Sequence, residues 1–191
     1  MSESLVTKKA IAQGLIALCS TKLFSKISVQ DITTQAGLNR QTFYYHFTDK
    51  YDLLRWIYHQ EAFIYLDTAD VNIDNWEEQS LKMLKAIQQN KDFYYNTVSS
   101  YSEVMMTDFS EITKKLFVGL FEQMDTEGEL LAEDKAFYAR FLSYGCSGVL
   151  SNWILDGYKE TPLTIATQLF RLAKDIEFFS YRLYQQEKQG D

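Results

Sequence analysis

The stretch "SVQDITTQAGLNRQTFYYHFTDK", residues 28 to 50, holds two helix starts and one sharp turn. Ser28 with Asp31 three residues on is a capping-box spacing, in which hydroxyl and carboxylate each satisfy a free backbone amide. Val29, Ile32 and Ala36 fall on one side of the helix begun there. Gly37 ends it, because glycine adopts the left-handed conformation that a tight turn requires. Asn39 can cap the next helix, which the pattern carries to about Phe47. Two short helices across a glycine turn form a helix-turn-helix.

The second of these helices is crowded with rings. Phe43 and Phe47 lie four residues apart, so they share a face with Leu38 nearby and anchor the helix to its neighbours. Arg40, Gln41, Tyr44 and Tyr45 fall largely off that face. Tyrosine and histidine pair an apolar body with a polar tip. Beside arginine and glutamine on an exposed helix, such tips suit DNA phosphates, while Arg40 and Gln41 can reach base edges. Lys50 stands in the first turn of a fourth helix, where the dipole disfavours a cation. A bound phosphate would offset that conflict.

The rest of the chain is consistent with an all-α protein. Its 191 residues are 46% hydrophobic and 24% charged, which fits a folded globular chain. Pro162 is the single proline, so long stretches carry no helix breaker. No alternating apolar run suggests a strand. Cys19 and Cys146 have neither zinc nor redox spacing and read as small buried hydrophobes. Lys8 and Lys9 before "AIAQGLIALC" loosely resemble an export signal, but Gln13 interrupts the apolar run and Leu18 is a poor cleavage position. No apolar run is long enough to span a membrane. Residues 1 to 60 carry a net charge of +3 and the remainder −10, so a basic end sits on an acidic body and can face phosphates.

Helical periodicity places helix one over residues 4 to 20, with Val6, Ala10, Ile11, Leu15 and Leu18 inward. A long fourth helix covers "YDLLRWIYHQEAFIYL", and "TADVNIDN" forms a loop after it. A fifth helix spans 75 to 90, with a short helix and turn beyond it. Further helices run from Ser102 to Met124, from about 131 to 157 and from 162 to 186, about nine in all. Gly128 and Gly157 mark ends, and Pro162 suits a first turn. Gly145 and Gly148 interrupt an apolar helix and imply a close helix approach there. The division expected is a DNA-binding domain over 1–50 and a helical ligand- or partner-binding and dimerisation domain over 51–191.

Residues 27 to 54, with their "TFYYHF" core and the lysine three positions after it, resemble the DNA-binding domain of the TetR/AcrR family of transcriptional regulators. The resemblance implies a cytoplasmic homodimer whose recognition helices enter successive major grooves of a palindromic operator. It implies phosphate contacts from Thr42, Tyr44, Tyr45, His46 and Lys50, with Arg40 and Gln41 near bases. Ser28, Val29 and Gln30 would touch the DNA backbone. Asn39 and Arg40 stand at positions that vary among relatives, so the operator sequence does not carry over. In such proteins the fourth helix couples the two domains, and the last two helices form a four-helix bundle with a second subunit. Phe141, Val149, Trp153, Leu169, Leu172, Ile176 and Phe179 are the candidates for core or dimer seam. "GCSGVLSNWILDGYKETP" also resembles a subgroup that includes the dihydroxyacetone kinase operon regulators, some of which answer to a coactivator protein rather than a small molecule.

An enzyme is not expected. His46 and His59 are the only histidines, and no metal-ligand cluster, nucleophile elbow or phosphate loop stands in the chain. No cofactor is implied. The competing class is a helical interaction module whose aromatic helix meets a protein partner. Trp76, Tyr94, Tyr95, Tyr101, Phe117 and Tyr144 either line an effector cavity or fill a core.

Overall fold

A computed structural model describes residues 3–125, 128, 130–172 and 175. Helix α1 is Glu3–Cys19, α2 Val29–Gln35, α3 Arg40–His46 and α4 Lys50–Glu61. Next come α5 (Trp76–Gln89), α6 (Lys91–Ser100), α7 (Ser102–Met124) and α8 (Ala132–Leu155), and residues 162–172 form α9. No strand occurs among the described residues. No described helix is long and apolar enough to cross a membrane.

Helices α1 to α3 form a compact head. The buried side of α1 is Ile11, Ala12, Leu15 and Cys19, whereas Val6 and Ala10 face outward. The inward expectation for those two fails because the packed face tracks the positions that meet α2 and α3, not the most apolar stripe. Gly14 shows why α1 and α2 can lie so close. A Cβ there would stand 3.1 Å from the Ile32 carbonyl oxygen and 3.4 Å from the Ala36 Cβ.

Helix α4 is shorter than the periodicity suggests. It stops at Glu61, and the chain tightens into a 3-10 turn over Phe63–Tyr65. The turn drives Phe63 and Leu66 into the core, where the Phe63 ring lies 5.3 Å from Phe109 and 5.9 Å from Tyr58. Burial of two large apolar side chains outweighs the few backbone bonds that a longer helix would add.

Helices α5, α6 and α7 run on with one-residue breaks at Asn90 and Tyr101. The segment after residue 90 is therefore a full ten-residue helix rather than a short helix and turn. Helix α7 pairs most extensively with α8. Small residues on α8, namely Ala139, Ser143 and Ser147, line its buried side. Gly157 lies at φ +76° after α8. Its amide bonds the Ile154 carbonyl, and the Tyr158 amide bonds that of Trp153. This is a Schellman closure, the role the sequence assigned to Gly157. Thr161 then caps α9, its hydroxyl accepting the Thr164 amide at 3.1 Å.

Candidate nucleic-acid interface

The reading helix is built by local capping chemistry. The Ser28 hydroxyl accepts the Asp31 amide at 3.2 Å and donates to Asp31 Oδ2 at 2.7 Å. The same carboxylate accepts the Ser28 amide and the Lys22 ammonium, each at 2.8 Å. The Lys22 bond, then those from Ser28, hold the Asp31 carboxyl well below the usual carboxylate range. Gly37 turns the chain at φ +67°. Asn39 Oδ1 accepts both the Thr42 amide at 2.8 Å and the Thr42 hydroxyl at 3.0 Å.

Phe43 and Phe47 are buried, their rings 5.8 Å apart, and pin α3 from behind. The opposite side is open. Tyr44 is 50% exposed and Tyr45 83%, and Arg40 and Gln41 are exposed beside them. The Arg40 guanidinium donates to the Tyr44 hydroxyl at 3.3 Å and lies 5.8 Å from its ring, so the two present one preorganised polar edge. His46 is half-buried against the Tyr45 and Phe47 rings. Ser28 and Gln30 lie near the start of α2, both exposed, while the half-buried Val29 side chain packs on the core. The Thr42 hydroxyl is committed to Asn39, so Thr42 and Asn39 shape the helix start as well as face outward.

Lys50 has partners within the chain. Its ammonium donates to the carbonyls of Phe24 and Ile27 at 2.9 Å each and of Ser25 at 3.4 Å, and it lies 4.6 Å from the Phe24 ring. The conflict with the α4 dipole is thus offset by three carbonyl dipoles. Burial lowers the Lys50 pKa. Sequence reasoning missed Lys22 as the clamp on Asp31 and Lys8 as a cation 5.5 Å from the Phe47 ring. It also missed Asn96 of α6, whose side chain bonds the chain between α1 and α2. A nine-residue gap from Lys22 to Asp31 matches no local motif, so nothing in the sequence flagged that pair.

The seam candidates separate into groups. Phe141, at 69% exposure, Val149 and Leu172 face outward. Tyr144 and Leu155 are also exposed on α8, and a Cβ added at Gly145 or Gly148 would meet nothing within 4 Å. Trp153 does not belong to a free seam. It is buried, with its indole N–H on the Glu160 carbonyl at 2.9 Å and its ring against Tyr158. The α8–α9 turn covers it, which the α8 sequence alone could not show. Leu169 is half-buried on the same core. Ile176 and Phe179 lie outside the described residues.

Of the candidate effector aromatics, Tyr94 and Trp76 are buried, Phe117 is half-buried, and Tyr95, Tyr101 and Tyr144 are exposed. A cleft of about 460 Å³ opens between α4 and α7, lined by Arg55, Trp56, His59, Phe63, Asp108 and Ile112 among others. His59 is paired with Asp67 at 2.9 Å.

Comparison with known proteins agrees with this geometry. Residues 16–57 match the family described as "Bacterial regulatory proteins, tetR family". Residues 74–175 match "Transcriptional regulator C-terminal region". The chain is 33% identical over 160 residues to the HTH-type dhaKLM operon transcriptional activator DhaS of Lactococcus lactis, covering 82% of this chain and 84% of that one. Among solved structures, a dihydroxyacetone kinase operon activator DhaS superposes with a TM-score of 0.69 at 22% identity, covering 88% of this chain and 94% of that one. NalD, the secondary repressor of the MexAB-OprM multidrug efflux pump in Pseudomonas aeruginosa, gives 0.58 at 18% identity, with 88% and 95% covered. The chain belongs to the TetR family, and it is a DNA-binding transcriptional regulator with an N-terminal helix-turn-helix and a helical C-terminal region. The family is one of regulators, not of enzymes.

Proposed function

We propose that two copies of this chain bind a palindromic operator, each placing α3 in a major groove, and that the helices after α4 set the spacing of the two heads. The observation that carries this reading is the two-sided α3: Phe43 and Phe47 are sealed inward while Arg40, Gln41, Tyr44 and Tyr45 are open. Arg40 and Gln41 read base edges, and Tyr44, Tyr45, His46 and Gln30 position the phosphate backbone. Lys50, Ser28, Asn39 and Thr42 support the unit mainly by holding its turns, given their partners within the chain. The boundary between reading head and regulatory helices falls near residue 50, where α4 begins.

Dimerisation uses the outer face of α8. Phe141, Tyr144, Val149 and Leu155 would otherwise leave an apolar stripe in water. Gly145 and Gly148 stand open at its middle, which suits close approach of the partner's α8. Control by a partner protein is favoured over an internal small-molecule cavity. Tyr58, Tyr94, Phe93 and Phe109 fill the interior among α4, α6 and α7, and the cleft between α4 and α7 is open to solvent rather than enclosed. The DhaS relative, an activator of the dhaKLM operon, lends the activator sense to this chain.

Fluorescence anisotropy on DNA from upstream of its own gene tests the reading. Saturable binding should be sequence-selective and weaken steeply with salt, since each phosphate contact releases counterions. Equal affinity for a scrambled duplex would refute operator recognition. Sedimentation should give a dimer, and Phe141→Glu should give a monomer that has lost operator affinity.

A further inference from the structure

The segment between α1 and α2 leads into the reading unit: its Ser20, Thr21 and Lys22 amides bond back to α1 carbonyls, but the Phe24 amide and the carbonyls of Lys22, Ser25 and Ile27 take side-chain partners from outside it. Besides a 3-10 turn over Phe24–Lys26 and the Lys22–Asp31 clamp to α2, two side chains from beyond the helix-turn-helix hold it. Lys50 of α4 gathers the carbonyls of Phe24, Ser25 and Ile27. Asn96 of α6 adds the second hold. Its Nδ2 donates to the Cys19 carbonyl at 2.6 Å and the Lys22 carbonyl at 2.9 Å, and its Oδ1 accepts the Phe24 amide at 2.8 Å. A side-chain amide offers two donors and one acceptor group, and all of them are used here. The next residue grips the other strut. The Tyr58 hydroxyl of α4 donates to Thr97 Oγ1 at 2.7 Å, and Thr97 is itself anchored on the Phe93 carbonyl at 2.9 Å.

Apart from the exposed Lys50–Ser25 bond, these are buried or partly buried, so breaking them strands polar groups away from water. When α6 shifts or rotates, releasing the segment is therefore costlier than carrying it along. Resting on the operator-binding reading above, we propose that Asn96 is a positioning residue for operator recognition: a residue of the regulatory region that fixes the α1–α2 segment and so sets the orientation of α3. Thr97 moves α4 with it, so a partner acting on the regulatory helices reorients both supports of the head in one step. Asn96 touches no DNA.

The test compares wild type with Asn96→Leu, as full chains, well below both melting midpoints. The probes are the upstream duplex and a scrambled duplex of equal length. Asn96→Leu should lose about tenfold or more in affinity for the upstream duplex, with scrambled-duplex affinity within about twofold, because phosphate contacts of each head persist while its orientation does not. Equal losses on both duplexes, or none on either, would overturn the proposal in favour of a plain structural cap. If Asn96→Leu does not fold, hydrogen exchange on the wild type decides. The upstream duplex should slow exchange at the Phe24 amide and along α6, and the scrambled duplex should not. Unchanged α6 exchange overturns the coupling even though operator binding stands. A wild-type chain that fails to select the upstream duplex removes the operator reading, and this proposal with it.

Discussion

The tripeptide Phe-Tyr-Tyr occurs twice, at 43–45 in α3 and at 93–95 in α6. In α3 only the phenylalanine is sealed, and Tyr44 and Tyr45 stand 50% and 83% exposed. In α6 Phe93 and Tyr94 are both buried, Tyr94 at 0%, and only Tyr95 opens, at 47%. Identical side chains at identical helical spacing thus diverge at the middle residue, Tyr44 open and Tyr94 sealed. Helix α3 has packing on one side only, so its second face is free for DNA. Helix α6 passes between α1, α7 and α8, so two faces are claimed and the residues on them become core or clamp. The residue after each tripeptide differs accordingly: His46 meets ring edges at the surface, whereas Asn96 bonds backbone in the interior.

The phenylalanines are the shared element, and removing either should have the largest effect. Phe43→Ala and Phe93→Ala should each cost about 3–5 kcal/mol of unfolding free energy, measured by urea titration, since each empties a fully packed site. A loss under about 1 kcal/mol at Phe43 would mean α3 is not pinned as described. The tyrosines then separate the two regions. Tyr44→Ala should leave stability within about 0.5 kcal/mol and weaken binding to every duplex, because its tip meets phosphate. Gln41→Ala should instead change preference at one base position, by about 1–3 kcal/mol.

Tyr94 should respond in the reverse sense. Its hydroxyl is buried and has no hydrogen-bond partner, while its ring stacks on Tyr58 at 5.4 Å. Burial raises its pKa well above the usual phenol value. Tyr94→Phe keeps the ring and removes the unsatisfied group, so it should stabilise the chain by about 1 kcal/mol or more. Tyr44→Phe should leave stability unchanged. Destabilisation by Tyr94→Phe would show that the hydroxyl has a polar partner.

Legibility from sequence divides along the same line. The capping box at Ser28 and Asp31, the Gly37 turn and the Asn39 cap are interactions over two to four residues, and all were legible. So was the two-sidedness of α3, because Phe43 and Phe47 repeat at helical spacing. Lys50 was legible as an anomaly, a cation at a helix start, but its partners lie 23 to 26 residues back. Asn96 left no signal, since its partners lie 72 to 77 residues away. The early end of α4 and the outward turn of Val6 and Ala10 escaped the pattern for one reason. Tertiary burial, not periodicity, selected the face.

Asp31 gives the head a pH signature. A carboxyl with a depressed folded pKa adds stability above its unfolded value of about 3.9, and that contribution is lost as pH falls through the folded value. Between pH 7 and 5 the Lys22–Asp31 clamp should therefore hold, and Lys22→Ala should shift the onset of acid unfolding, followed by circular dichroism, to higher pH.

The smallest effect concerns the two thiols, one in each region. Burial pushes Cys19 up to about 12 and Cys146 up to about 11. Only a thiolate attacks a disulfide reagent, so at pH 8 the reactive fractions are about 10⁻⁴ and 10⁻³, against roughly a quarter for an unfolded cysteine near 8.5. Ellman's reagent should therefore label the native chain slowly and Cys146 before Cys19, and urea should make both react at once. Cys19 also carries the carbonyl that Asn96 holds. If that bond secures the end of α1, Asn96→Leu should speed labelling of Cys19 and leave Cys146 unchanged. Equal acceleration of both would mean that the substitution loosens the whole fold, and the contrast between the two regions would then not rest on that side chain.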